Sequence, residues 1–221
     1  MCDRSMKIIA VILAAGRGTR AGGANPKQWQ NLGNKRIIDH SIDLFKNIAR
    51  INNIMVVLHP DDLHLLDRSD VLFTKGGHTR SASVKFGLEA LKQNEMPDYV
   101  LIHDAARPST PLTVINDVID NLETADAVSP GLPVTDTLWE VIDENVVRTQ
   151  SRRNIWRAQT PQGFNFKKIL EAHTVSSSTA TDDVEVATSA GLKVKVIYGS
   201  EKNIKITTAE DFDRVTAVLG Y

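Results

Sequence analysis

At 221 residues and 42% hydrophobic content, the chain is long and apolar enough for one large α/β domain. Its 26 basic and 27 acidic residues nearly cancel, which argues against binding nucleic acid by bulk charge. The single cysteine, Cys2, rules out an intramolecular disulfide, no apolar run approaches the ~18 residues of a membrane span, and residues 1–6 hold no signal-peptide core. The expectation is one cytoplasmic domain over residues 1–221.

The first element is the run Ile8-Ile9-Ala10-Val11-Ile12-Leu13-Ala14-Ala15. It reads as a parallel strand buried on both faces. It ends in a glycine loop, Gly16-Arg17-Gly18-Thr19-Arg20, with Lys27 just beyond. Glycines let backbone approach a polyphosphate closely, and cations aimed at one point suit chemistry on phosphate. Ile37, Ile38, Ser41, Ile42, Phe45 and Ile48 then repeat at helical spacing. A strand over 54–58 stops before Pro60, and Asp61 or Asp62 is expected to cap a short helix. Residues 71–74 form a third strand, leading through Gly76-Gly77 into a helix over 81–93. A fourth strand over 99–103 ends in Asp104-Ala105-Ala106-Arg107-Pro108, and Pro111 opens a helix through Leu122.

Residues 127–129 read as a short central strand, after which the alternation breaks. Runs 137–142 and 146–150 flank Asp143-Glu144-Asn145, a hairpin signal. A hairpin leaving a sheet needs something to pack on, and a second subunit is the simplest candidate. Helices near 166–175 and 183–190, a strand over 193–198 and a helix over 209–219 capped by Thr207 or Thr208 complete the chain. Strands alternating with helices predict a mostly parallel sheet.

Two phosphate loops are set aside. Gly16 is not followed by the Gly-Lys-Ser/Thr ending of a P-loop. Gly16, Gly18 and Ala21 do match the weaker dinucleotide fingerprint, but the next strand ends in His59-Pro60 rather than an acid, and Asp39 and Asp43 fall inside a helical pattern. Ligands of open α/β sheets bind beyond the carboxyl ends of the strands. The residues to weigh there are Gly16, Gly18, Arg20 and Lys27, then Gly76, Gly77, His78, Arg80 and Ser83, then Asp104 and Arg107. His40, His59, His64 and His173 read as solvent-facing or capping, Trp156 as a core or interface anchor, and Asp182 and Asp183 as helix caps rather than metal ligands.

The runs at 13–20 (Leu-Ala-Ala-Gly-Arg-Gly-Thr-Arg), 26–28 (Pro-Lys-Gln), 76–84 (Gly-Gly-His-Thr-Arg-Ser-Ala-Ser-Val), 103–108 (His-Asp-Ala-Ala-Arg-Pro), 133–137 (Pro-Val-Thr-Asp-Thr), 159–162 (Gln-Thr-Pro-Gln), 181–183 (Thr-Asp-Asp) and 203–207 (Asn-Ile-Lys-Ile-Thr) carry a resemblance. In this order and spacing the chain resembles the cytidylyltransferases of the non-mevalonate isoprenoid pathway, from about Lys7 to Leu219. The resemblance implies a Rossmann-like nucleotidyltransferase fold, a mostly parallel twisted sheet flanked by helices, with a hairpin arm at about 135–152 for a homodimer. It implies CTP and 2-C-methylerythritol 4-phosphate as substrates and Mg²⁺ as cofactor, held mainly by the triphosphate, with Asp104 as the one candidate protein ligand.

It also implies roles. Ala14, Ala15, Gly16 and Gly18 would hug the nucleotide, and Gly77, His78 and Ser83 would read the cytosine. The family often has an acid where this chain has His78, so contact there would come from backbone. Arg20 and Lys27 would contact the triphosphate. Asp104, Arg107, Thr137 and Thr160 would hold the methylerythritol phosphate, while Arg152, from the partner subunit, and Lys205 would position the attacking phosphate. The related ribitol-5-phosphate cytidylyltransferases share the nucleotide half of this set, and a nucleotide sensor on the same fold is the non-enzyme alternative. Arg107 with Thr137 and the Arg152-to-Trp156 spacing favour methylerythritol phosphate, and three cations at the reacting phosphate, Arg20, Lys27 and Lys205, are more than a sensor needs.

Overall fold

The structure, a computed structural model, describes residues 6–17, 26–176 and 180–221. In chain order the strands are β1 (Ile8–Ala14), β2 (Asn31–Leu32), β3 (Lys35–Arg36), β4 (Asn53–Leu58), β5 (Leu72–Lys75), β6 (Tyr99–Asp104), β7 (Ala127–Pro133), β8 (Leu138–Ile142), β9 (Asn145–Gln150), β10 (Trp156–Ala158), β11 (Gln162–Asn165) and β12 (Val194–Tyr198). The helices are α1 (Ile37–Lys46), α2 (Arg80–Asn94), α3 (Leu112–Leu122), α4 (Phe166–Val175), α5 (Asp183–Ser189) and α6 (Ala209–Leu219).

The main sheet runs β10-β7-β11-β6-β1-β4-β5, with β12 also on β7. Strand β1 lies parallel between β4 and β6, and β5 and β12 are parallel to their neighbours. Within this sheet, among the described residues, only β10 and β11 run antiparallel to their neighbours. The chain builds outward from β1 through β4 and β5, then crosses to β6 on the other side. That reversal opens a crevice at the carboxyl end of β1.

Both faces of β1 are covered, so its apolar run is continuous rather than alternating. Ile8, Ala10 and Ile12 pack under α1 and α3 with Ile38, Ile42, Phe45, Ile115 and Ile119. Ile9 and Val11 pack under α2 and α4 with Val84, Leu88, Leu91, Phe166 and Ile169. A smaller cluster of Leu32, Ile37, Ile206 and Val215 docks α6 beside α1. Thr79 caps α2, accepting from Ala82 N at 3.1 Å, and Thr208 with Asp211 forms a capping box on α6.

Several expectations need correction. The central strand reaches Pro133 rather than stopping at 129, because Pro130 loses only a donor and its carbonyl still accepts from Gln159 N at 2.9 Å. Strands β10 and β11, of three and four residues, were not anticipated. The short 3₁₀ turn after β4 is capped by His59, whose Nδ1 accepts from Asp61 N, while Asp61 and Asp62 sit in its first turn. Asp182 caps α5 as expected, but Asp183 is fully buried, and so is His173, neither solvent-facing nor a cap. Of the two readings of Trp156, core or interface anchor, only the core one is overturned: it is 37% exposed and meets Tyr198 edge-on, with ring centroids 5.1 Å apart.

The hairpin forms, with a two-residue turn at Asp143 and Glu144, both at positive φ, as the tight turns that match strand twist require. Strands β8 and β9 pair only with each other among the described residues, and every residue of β9 is exposed.

Candidate active site

A cavity of about 540 Å³ opens at the carboxyl ends of β1 and β6. The loop after β1 supplies Ala15, Gly16 and Arg17, and the turn after it supplies Lys27 and Gln28. The loop before α2 supplies Gly77, His78 and Thr79, and the first turn of α2 supplies Arg80 and Ser83. Asp104, Ala105 and Ala106 come from the end of β6, and Lys205 and Thr207 from the segment before α6. A groove of about 610 Å³ on the outer side of the same loop shares His59, Gly77, His78 and Thr79 with it.

Hydrogen bonds shape the glycine-loop side. Gln28 is buried and its amide donates to Ala14 O at 2.9 Å and Gly16 O at 3.0 Å, fixing how the chain leaves β1. Ser83 Oγ accepts from Gly77 N at 3.1 Å and lies 2.9 Å from Thr79 O, so it organises the loop it faces. Gly76 is required by close approach: a Cβ there would stand 2.6 Å from that of Ala15. Arg17 reaches Asp62 at 3.0 Å and Asp61 at 2.6 Å, and its Nη2 lies 2.6 Å from His59 Nδ1. Lys27 Nζ donates to Ile206 O at 2.6 Å, tying the glycine-loop side to the Lys205 segment.

The opposite wall is a chain of charges. Asp104 accepts from Lys205 Nζ at 2.7 Å and Arg80 Nε at 3.3 Å. Burial alone would raise the Asp104 carboxyl, but Arg80, Lys205 and Arg107 outweigh it and hold the group well below the usual carboxylate range. Burial pulls the Arg80 guanidinium down, and Asp183 with Asp104 more than reverses this. Among the described residues Asp104 is the only carboxylate lining the cavity, and no cluster of three metal-ligating side chains occurs.

Of the residues singled out from sequence, Ala14, Ala15, Gly16, Lys27, Gly77, His78, Ser83, Asp104 and Lys205 line this one cavity. Gly18 and Arg20 lie outside the described residues. Arg107 lies behind the wall, buried, with its guanidinium donating to Asn203 O at 2.7 Å and Ala158 O at 3.4 Å. Thr160 is buried as well. Its hydroxyl accepts from Asp104 N at 3.2 Å and lies 3.1 Å from His103 Nδ1, while His103 Nε2 faces Arg107 O at 3.2 Å. Burial pushes the His103 pKa down to about 4, so the ring is neutral, with Nε2–H donating to the carbonyl and Nδ1 accepting from Thr160. Thr137 and Arg152 sit at the foot of the hairpin, exposed, with the Arg152 guanidinium on Thr135 O.

Sequence reasoning gave no role to Arg17, Gln28, Arg80 or Thr207. Arg17 was visible in the glycine loop and Gln28 stood beside Lys27. Arg80 was weighed only as a loop residue, because its partners are remote in sequence.

The profile of one protein family, described as IspD: 2-C-methyl-D-erythritol 4-phosphate cytidylyltransferase, matches residues 8–221. A relative of that name from Roseobacter denitrificans is 48% identical over 217 residues, 97% of each chain. A bifunctional enzyme IspD/IspF from Rhodobacter capsulatus is 47% identical over 217 residues, and the chain spans 97% of its own length but 56% of that relative's. Among solved structures, a 2-C-methyl-D-erythritol 4-phosphate cytidylyltransferase from Francisella tularensis superposes with a TM-score of 0.84 at 28% identity, covering 96% of this chain and 99% of the other. A 4-diphosphocytidyl-2C-methyl-D-erythritol synthase superposes with a TM-score of 0.86, also at 28% identity, covering 97% and 98%. With the cavity at the carboxyl end of β1, the cations around it and a match over residues 8–221, the chain belongs to the 2-C-methyl-D-erythritol 4-phosphate cytidylyltransferase family, a family of nucleotidyltransferases.

Proposed function

We propose that the protein transfers the cytidylyl group of CTP to 2-C-methyl-D-erythritol 4-phosphate, releasing pyrophosphate and giving 4-diphosphocytidyl-2-C-methyl-D-erythritol, in the cytoplasm. The observation that carries this reading is the set of cations Arg17, Lys27, Arg80 and Lys205 lining one cavity together with Gly16 and Gly77. One phosphate monoester oxygen attacks the α-phosphorus of CTP. Both reactants are anions, so repulsion must be screened before in-line geometry is reached. The monoester is largely ionised near neutral pH and needs no general base.

Ala14, Ala15, Gly16 and Gly18 cradle the nucleotide, and Gly77, Ser83 and the backbone at His78 read the base. Lys27 and Arg20 stabilise charge on the triphosphate as the bond to pyrophosphate breaks. Lys205 orients the attacking phosphate, with Arg152 arriving from a partner subunit through the hairpin. Asp104 binds the acceptor directly. The buried Arg107 and Thr160 act by holding the wall that carries Asp104 and Lys205, and Thr137 completes the acceptor side from the hairpin foot. A magnesium ion on the triphosphate would neutralise leaving charge, with Asp104, the one carboxylate among the described residues lining the cavity, to assist it.

Turnover with CTP and methylerythritol phosphate, read as pyrophosphate release, tests the proposal. Ribitol 5-phosphate used equally well would move the protein to the sister activity. A pocket that hydrogen-bonds the cytosine amino group leaves polar groups unpaired when UTP enters, at roughly 1–3 kcal/mol, so UTP should be slower by about tenfold or more. Equal rates with UTP would remove the base-reading role of Gly77 and Ser83.

A further inference from the structure

We propose that Asp183 and His173, neither of which lines the cavity, form a buried anchor that positions Arg80 and, through it, the carboxylate Asp104. The inference rests on the acceptor-side role given to Asp104 above. The anchor spans four elements. His173, on α4, places Nε2 3.0 Å from Asp183 Oδ1 at the start of α5. Asp183 Oδ2 accepts from Arg80 Nη1 at 2.7 Å, and Arg80, at the start of α2, gives its Nε to Asp104 at the end of β6. Both anchor side chains are 1% exposed.

A carboxylate buried this deeply is costly unless it is paired and hydrogen-bonded, and apolar residues of the same volume would serve stability as well. Here the buried charges form a line that ends in the cavity. The geometry of the guanidinium explains how the line works. Its Nη1 and Nε lie in one rigid plane, so binding Asp183 with one and Asp104 with the other fixes that plane. Asp104 is then held from two sides, by Arg80 on Oδ1 and Lys205 on Oδ2. Without Asp183, Arg80 turns about its side-chain bonds and Asp104 follows Lys205 alone. Asp183 and His173 are thus positioning residues.

Asp183→Asn keeps the size and removes the charge. We expect the KM for methylerythritol phosphate to rise about tenfold while the KM for CTP stays within about twofold, since a misplacement of order 1 Å costs that much or more. In a cycle with Asp104→Asn, the second substitution should add little to the first. Additive costs, or a loss affecting both substrates in step with the folded fraction, overturn the proposal. His173 gives an independent test should Asp183→Asn not fold: His173→Gln still donates to Asp183 and should retain acceptor affinity, whereas His173→Leu should lose it. Equal behaviour of the two would refute the anchor. A substrate-free readout separates this inference from the proposed reaction. The nitrogen–proton resonance of Arg80 Nε should be protected from exchange in the wild type and unprotected in His173→Leu and Asp183→Asn. A freely exchanging wild-type resonance overturns the anchor whether or not the enzyme turns over. A protected one, with no transfer to methylerythritol phosphate, overturns the reaction instead.

Discussion

The cavity wall and the hairpin arm are built from the same chain by opposite means. The wall is cross-tied. Thr160, His103, Arg107 and Asn203 bond one another behind Asp104 and Lys205, and Ile206 N donates to Ala106 O at 2.9 Å. These groups are buried, so each bond acts where water cannot compete. The arm is a lone pair of strands exposing Trp139 at 62% and Val141, Ile142, Val146 and Val147 each above half. A two-stranded hairpin is marginal in water by itself. The wall is therefore organised by its own chain, while the arm presents apolar surface that none of the described residues covers.

The contrast breaks most sharply on catalysis. Lys27→Ala and Lys205→Ala should each lower kcat a few hundredfold, about 2.7–4 kcal/mol of barrier, with the melting temperature moving only a few degrees. Calorimetry beside turnover decides it, and a variant that keeps normal kcat would show that its charge is not used on phosphate.

Next in size is the arm's contribution to a neighbouring site. If Arg152 serves the partner, Arg152→Ala and Lys27→Ala should each be nearly inactive. Mixed dimers should regain up to about half the activity of wild type, because one site then carries both lesions and the other neither. No recovery after subunit exchange is proven by mass would assign Arg152 to its own subunit. A smaller change, Trp139→Glu, should shift sedimentation from dimer toward monomer while leaving the melting of the main domain nearly unchanged. A wild-type monomer would end the dimer proposal.

A change of pH sharpens the account of the wall. The His103 pKa is depressed to about 4 in the folded chain against 6.5 as the reference value. Its neutral ring therefore contributes stability that is fully present above pH 6.5 and lost as pH falls toward 4, on the order of 3 kcal/mol in total. His103→Gln should be less stable near neutrality and lose less between those limits. Parallel curves for the two proteins would mean that some other group carries the acid sensitivity.

Wherever neighbours in sequence carry the signal, the chain alone determined the structure. The unbroken apolar run of β1, the 3.6-residue spacing in α1, α2 and α3, and the turn residues of the hairpin place these elements within a few residues. The glycine loop, Lys27 and Asp104 were legible because strand ends in a parallel sheet share one edge, whereas Lys205 came only from the family resemblance. Tertiary structure decided the rest. Strands β10 and β11 are too short to show a period, and they form because β7 and β6 offer them edges. His173 and Asp183 look like surface and cap residues until folding brings Asp183 to Arg80, 103 positions away in sequence. Arg107 reads as a phosphate ligand in its motif, and only the folded chain shows it buried, with two of its guanidinium nitrogens donating to the carbonyls of Asn203 and Ala158. Local patterns record which face of an element is apolar. They carry no record of which distant charge a buried side chain will meet, since that depends on how the layers stack.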